Sequence, residues 1–263
     1  MIKTKDDLNR KIVLQEIPQR IVSLVPSITE LLVDMGLEEN IVGVTKFCVH
    51  PKHLKKSKPL IGGTKSVKTK IINELKPDII FASKEENDQK QVTELILHHR
   101  VFVSDIKTLK DATRFNKLVG KIFEKEASFL KIDKAIKKAF STAVFKNEKA
   151  LYLIWKNPYM TVGGDTYISD IMSKIGLANV LKTTKRYPSI DAQYIEELEV
   201  DYIFLSSEPF PFKEKHIIEL KELNPQAKVI LVDGEAFSWY GSRLSHIPDY
   251  FKSMMQQLKR SSS

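Results

Sequence analysis

Cys48, His50 and His53 place one thiol and two imidazoles within six residues, and these types ligate zinc, copper or cobalt. The spacing is not that of a zinc ribbon, and the chain offers no evident fourth ligand. The competing reading is a buried apolar cysteine beside surface histidines. A third is axial ligation, by Cys48 or His50, of the metal in a bound chelate. Glu85-Glu86 and Glu208 form acidic loops of a kind that does acid and base work when paired, although ligand contacts or internal hydrogen bonds explain them as well. The turn Gly163-Gly164-Asp165-Thr166 could hold an anion on its N–H groups or simply cap a helix. No nucleophile elbow, metalloprotease helix, dinucleotide fingerprint or kinase set occurs, so no catalytic residue is expected and the chain reads as a non-enzyme.

The rings say more. Both tryptophans, Trp155 and Trp239, fall with Tyr159, Tyr187, Phe210, Phe237 and Tyr240 in segments that follow predicted strands. Such rings give wide, stiff, partly polar surfaces suited to a flat macrocycle or aromatic chelator. Packing between lobes is the alternative, stronger for Phe212 and Phe237 than for Trp239 or Tyr187. Arg243 either pairs with an acidic or amide group of a ligand or makes a salt bridge that caps the last helix.

An internal duplication defines the elements that position these residues. Residues Ile28–Leu37 align without a gap on Ile168–Leu177, and Ile71–Ser83 align on Tyr194–Ser206 with seven identities in thirteen. Arg100–Asp105 and Lys228–Asp233 follow in register. Each copy reads strand, helix, short strand, helix, strand, helix, strand. Consecutive apolar runs such as Ile79-Ile80-Phe81 predict strands covered on both faces, hence mainly parallel sheets with right-handed crossovers. Between the copies, residues 108–145 contain no proline and one glycine, Gly120, with apolar positions at helical spacing. One helix of about 35 residues here would span about 52 Å; two shorter helices broken near Gly120 are the alternative.

The 263 residues hold 42% hydrophobic and 29% charged residues, with a formal net charge of +9. Neither disorder nor a collagen-like chain fits. The surplus is spread over a short basic loop at 53–58 and over Lys131, Lys134, Lys137 and Lys138, which read as a solvated helix face. No nucleic-acid signature accompanies it, so nucleic acid is not an expected partner. One cysteine excludes an internal disulfide. No run reaches the roughly 18 apolar residues of a membrane span. No secretory signal is visible from Met1 to Arg10, so the expectation is a cytoplasmic protein or one whose export segment lies outside this sequence.

Two duplicated lobes and a long helical connection resemble the helical-backbone solute-binding proteins of ABC importers, which take up cobalamin, iron–siderophore complexes or heme. The segments Pro18–Glu30 and Leu75–Ile80 carry the resemblance, which runs from about Pro18 to the C-terminal helix and is closest to the cobalamin-binding branch. It implies an N-terminal α/β lobe over 1–106, a backbone helix over 107–147 and a C-terminal α/β lobe over 148–263, with a ligand cleft between three-layer lobes. The implied cargo is a cobalt corrinoid, ferric siderophore or heme, held by a monomer with no cofactor of its own and passed to an ABC permease.

In open α/β sheets ligands bind beyond the carboxyl ends of the strands. The expected contacts are therefore Phe47, His50, Thr64 and Glu85 in the first lobe, and Trp155, Tyr159, Tyr187, Glu208, Phe210, Trp239, Tyr240 and Arg243 in the second. Tyr187 and the stretch Trp239–Arg243 fall where the cobalamin branch has ligand contacts. Exported members dock on the permease through one acidic residue per lobe, but those positions here are Lys70 and Gln193. Glu74 and Glu197, one helical turn on, are the substitutes expected.

Overall fold

Runs of consecutive apolar residues need cover on both faces, and the chain supplies it twice. The computed structural model describes residues 1–260 and falls into two units. The first gathers Met1–Ile106, Lys110–Ile136 and Tyr240–Ser245; the second gathers Lys107–Leu109, Lys137–Trp239 and the chain from His246 onward.

The first unit opens with a hairpin of β1 (Ile2–Lys5) and β2 (Lys11–Leu14). Then come β3 (Ile21–Ser23), α1 (Pro26–Asp34), β4 (Ile41–Val44), α2 (Leu54–Ser57), α3 (Thr69–Leu75), β5 (Ile79–Ser83), α4 (Gln89–His98) and β6 (Val101–Ser104). The four strands from β3 to β6 form one parallel sheet in the order β4-β3-β5-β6, and every residue of β5 and β6 is buried. Pro26 opens α1. Gly36 at φ +78 closes it: its N–H reaches Val33 O (2.8 Å) while that of Leu37 reaches Leu32 O (2.9 Å). A left-handed residue here satisfies two carbonyls of the last turn, which favours glycine. The hairpin covers the exposed edge of the sheet, with the Asp7 N–H on Val103 O (3.1 Å) and Arg100 Nε on Val13 O (3.0 Å).

The span expected as one long helix is helical, but it is made by two helices, α5 (Leu109–Ile122) and α6 (Glu126–Ala139). Glu124 turns left-handed at φ 53 between them. A Cβ on Gly120 would lie 2.9 Å from Phe129 Cβ, so the bare glycine is what lets α6 fold back against α5. Phe115 of α5 packs on Phe81 and Phe102 of the sheet at 6.0 and 5.7 Å between ring centres.

The second unit contains β7 (Lys149–Trp155), β8 (Tyr159–Thr161), α7 (Tyr167–Lys174), β9 (Ala178–Asn179), β10 (Ser189–Ile190), α8 (Ala192–Glu197), β11 (Tyr202–Ser206), α9 (Glu214–Leu223), β12 (Lys228–Val232), α10 (Gly234–Ser238) and α11 (Ile247–Arg260). Strands β7, β11 and β12 are parallel, and β9 pairs parallel with β7. This matches the first copy, with one addition: β8 turns back antiparallel on β7, and β10 on β8, before and after α7. The helix caps repeat, since Gly176 at φ +93 and Leu177 bond Ser173 O and Met172 O as their counterparts do after α1. No helix among the described residues is long and apolar enough to cross a membrane.

The Gly163-Gly164 turn is accounted for by packing. Its N–H groups are spent on Arg186 O (2.7 Å) and Thr184 O (2.8 Å), and Thr166 caps α7 by accepting from Ser169 N. A Cβ on Gly164 would lie 1.9 Å from Lys182 O. Gly164→Ala is therefore expected to cost about 1–3 kcal/mol by overpacking, lowering Tm by several degrees in a circular-dichroism melt; an unchanged Tm would contradict this packing.

Candidate functional site

Four of the parallel strands end in a serine: Ser23, Ser83 and Ser104 in the first unit and Ser206 in the second. These hydroxyls organise the loops that follow. The Ser83 oxygen accepts from the N–H groups of Glu85 (3.2 Å) and Glu86 (3.3 Å), and its counterpart Ser206 accepts from Glu208 N (3.4 Å). A hydroxyl that holds the chain two residues on is a compact turn. Thus the equivalence of Glu85 and Glu208, first visible as an alignment, holds at the level of hydrogen bonds.

In the first unit, Asn87 ties the loops together: its amide donates to Leu24 O (3.2 Å) and Thr64 O (2.9 Å), while its carbonyl accepts from Ser83 N (2.7 Å). Thr64 thereby contributes its backbone to the loop scaffold. Phe47 is half exposed with Lys46 Nζ 5.0 Å from its ring centre. Cys48, in contrast, is fully buried, its Sγ 3.1 Å from Thr29 Oγ1 and 3.4 Å from Thr45 Oγ1. Burial pushes the thiol's pKa up despite those bonds, so it is a poor thiolate donor. His50 lies within electrostatic reach of Glu30. Among the described residues no group of three or more His, Cys, Asp or Glu side chains is placed to hold a metal ion, and the structure does not gather Cys48, His50 and His53 into one. His53 instead pairs with Glu38 at 2.5 Å.

Tyr240 to Ser245 complete this unit. The Tyr240 ring stands edge-on to Phe115 at 6.3 Å, and its hydroxyl lies 3.3 Å from Ser104 Oγ. Burial and the charge of Glu86 hold its pKa well above the phenol range, against bonds from Ser104, Ser83 and Ser27. Gly241, at φ +92, brings the backbone close to Leu31 and Ser27 O. Arg243 then forks onto Glu30, with Nε to Oε2 and Nη2 to Oε1 both at 2.9 Å. Burial raises the Glu30 carboxyl in spite of this guanidinium. The salt-bridge reading of Arg243 is thus realised, on α1 rather than as a cap of the last helix.

In the second unit, Trp155 ends β7 and is 40% exposed. Its ring meets Phe210 edge-on at 5.6 Å, and Phe210 rests in turn on Phe212 (4.8 Å) and His216 (5.6 Å). Tyr159 is less available: it is buried and donates to Glu219 Oε1 at 2.5 Å, while Lys156 pairs with the other oxygen of the same carboxylate. Burial works against the Glu219 anion, but bonds from Lys156 and Tyr159 outweigh it and hold the carboxyl below its ordinary value. Tyr187 is half-buried beside Arg186, whose Cζ lies 5.4 Å from its ring centre. Trp239 is only 8% exposed, and its indole N–H donates to Glu208 Oε1 (3.2 Å), which also accepts from Ser238 Oγ (2.9 Å).

Glu30, Asn87 and Glu219 are the organising residues that sequence reasoning did not single out as contacts. Glu30 is 213 positions from its partner and Glu219 is 63 from Lys156. No local spacing signals pairs of that separation.

Glu208 gives a pH signature. Burial raises its carboxyl from the ordinary value of 4.5, against bonds from Ser238 and Trp239 and reinforced by Glu235 and Asp233. The unfolded chain loses this proton near 4.5 and the folded chain at higher pH, so between the two the folded state binds more protons and stability falls as pH rises. Glu208→Gln keeps the acceptor oxygen and removes the charge. Its Tm relative to the parent is expected to become more favourable as pH rises from below 4.5 to neutrality; a difference independent of pH would contradict the placement of Glu208.

Comparison with known proteins places these observations in a family. A family model described as periplasmic binding protein matches residues 21–224. An uncharacterized ABC transporter substrate-binding lipoprotein of Bacillus subtilis is 26% identical over 213 residues, covering 75% of this chain and 67% of that protein. The vitamin B12-binding protein of Pectobacterium atrosepticum is 23% identical over 266 residues, covering 92% and 90%. Among solved structures, the periplasmic catecholate-siderophore binding protein of Vibrio cholerae superposes with a TM-score of 0.78 at 18% identity, covering 97% and 99%.

Proposed function

The chain belongs to the periplasmic binding protein family, and on that premise we propose that it is a non-catalytic solute-binding protein that captures a bulky metal chelate for ABC-type uptake. A cobalt corrinoid is the favoured cargo, ahead of a ferric siderophore or heme. Relatives named for vitamin B12 binding that align over most of both chains support that order. The observation that carries the reading is the exposed Trp155 ring at the carboxyl end of β7, backed edge-on by the partly buried Phe210 that follows β11, where open α/β sheets bind ligands. A tryptophan 40% open to water loses solvation that a flat chelate face would replace. Tyr187 and Phe47 are the next rings available, being half-exposed. Trp239 and Tyr240 are buried and act by holding the loops in place. A resident cofactor plays no part in this reading.

Delivery requires a permease surface. Glu74 and Glu197 are both exposed and serve as the proposed contacts, although Glu197 accepts from Gln193 Nε2 at 2.9 Å within its own helix. Lys70 and Gln193 stand where acidic docking residues are expected in exported members. That substitution favours a second reading, a carrier or an enzyme on the same scaffold that handles a metal chelate or cofactor without an importer.

Isothermal titration with cyanocobalamin, a ferric trihydroxamate and hemin tests the proposal. One of the three is expected to bind with one-to-one stoichiometry, and Trp155→Ala to weaken it about tenfold, the worth of one aromatic contact of roughly 1.4 kcal/mol. No heat from any chelate would overturn the function, and full affinity in Trp155→Ala would overturn the site.

A further inference from the structure

We propose that Glu30 masks the charge of Arg243, so that this part of the first unit accepts an uncharged, amide-bearing edge of a chelate and rejects a carboxylate. The inference rests on the chelate-binding reading above and names the class of chelate.

An arginine beside a ligand loop ordinarily recruits a carboxylate or phosphate, because its planar fork matches two acceptor oxygens. Here that match is already made from within the chain. Glu30 takes Nε–H and an Nη2–H of Arg243 at 2.9 Å each. Side-chain exposure is 18% for Arg243 and 13% for Glu30. What reaches the pair meets a near-neutral dipole. A ligand carboxylate that took this same Nε–Nη2 edge would have to displace Glu30 and leave a desolvated anion without its guanidinium, the costly way to break a buried pair, and one that came to the remaining N–H groups would meet a cation already paired with an anion. The other charges acting on Glu30 are His50, which favours the anion when protonated, and Asp34, which opposes it.

The same device recurs at other cations of these loops. In the first unit Lys84 pairs with Asp105 at 2.8 Å. In the second, Lys156 is held on the Glu219 carboxylate that also receives Tyr159. Both units thus hold a loop cation on a carboxylate near their rings, while Lys46 lies over the Phe47 ring instead. That combination suits a macrocycle whose rim carries amides and disfavours one whose rim carries propionates.

Two matched ligand pairs isolate the rim charge: cyanocobalamin against its monocarboxylic acids, in which one side-chain amide is hydrolysed, and hemin against its dimethyl ester. The parent protein is expected to prefer the uncharged member of whichever pair it binds by about tenfold, the worth of one charge-assisted hydrogen bond. Glu30→Gln is expected to remove or reverse that preference, and Glu30→Gln/Arg243→Gln to restore it, because only the first leaves a bare guanidinium. Equal or tighter binding of the carboxylate form by the parent overturns the masking while leaving chelate capture standing, and this arm needs no variant to fold. An unchanged preference in a folded Glu30→Gln protein overturns it equally. Binding of none of the four ligands overturns the masking, and silence with the ferric trihydroxamate as well overturns chelate capture.

Discussion

A guanidinium and a carboxylate withdrawn from water must satisfy each other, and the Glu30–Arg243 fork is the constraint on which the first unit depends. It joins α1 to a segment from near the far end of the chain. Once Arg243 is held, Gly241 can lie against Ser27 and Leu31, and Tyr240 can lodge edge-on to Phe115 with its hydroxyl at the serine that ends β6. Tyr240 thereby covers the carboxyl end of β6. Removing one partner would leave the other buried and unpaired, the circumstance in which such a pair matters most.

The second unit solves the same problem with different residues. Glu208 gathers the Trp239 indole and Ser238, and Glu219 gathers Lys156 and Tyr159. Gly234 permits this packing, since a Cβ there would approach Glu208 Cγ to 2.5 Å and Ser206 Oγ to 2.6 Å. These polar groups are bonded internally, while Trp155, packed edge-on against Phe210, stays open to water. The binding role proposed above draws on that division. The carboxyls of Glu30 and Glu208 are each committed to hydrogen bonds, and the Cys48 thiol is sealed from solvent.

Much of the fold was legible because duplication writes the same constraints twice. Gly36 and Gly176 close equivalent helices with equivalent bonds, and Ser83 and Ser206 turn equivalent loops. Apolar runs such as Ile79–Phe81 announced strands covered on both faces. The hairpin of β7 with β8 was not legible, because Tyr159-Met160-Thr161 is too short a strand to show a period. The break between α5 and α6 was weighed at Gly120 and occurs at Phe123–Lys125. The glycine acts at a distance of one turn, by admitting Phe129 rather than by unwinding the helix itself. At the site, sequence marked the loops and the ring-rich segments but not which rings are open. Trp155 and Trp239 look alike in a sequence; one is exposed, and the other is buried with its N–H satisfied by Glu208.

The most direct measurement is a crystal structure of the protein grown with excess cyanocobalamin. The account predicts a corrin in van der Waals contact with Trp155 and Tyr187, with Arg243 still forked onto Glu30. A corrin seated away from those rings, or Arg243 released from Glu30 onto an acidic group of the ligand, would contradict it.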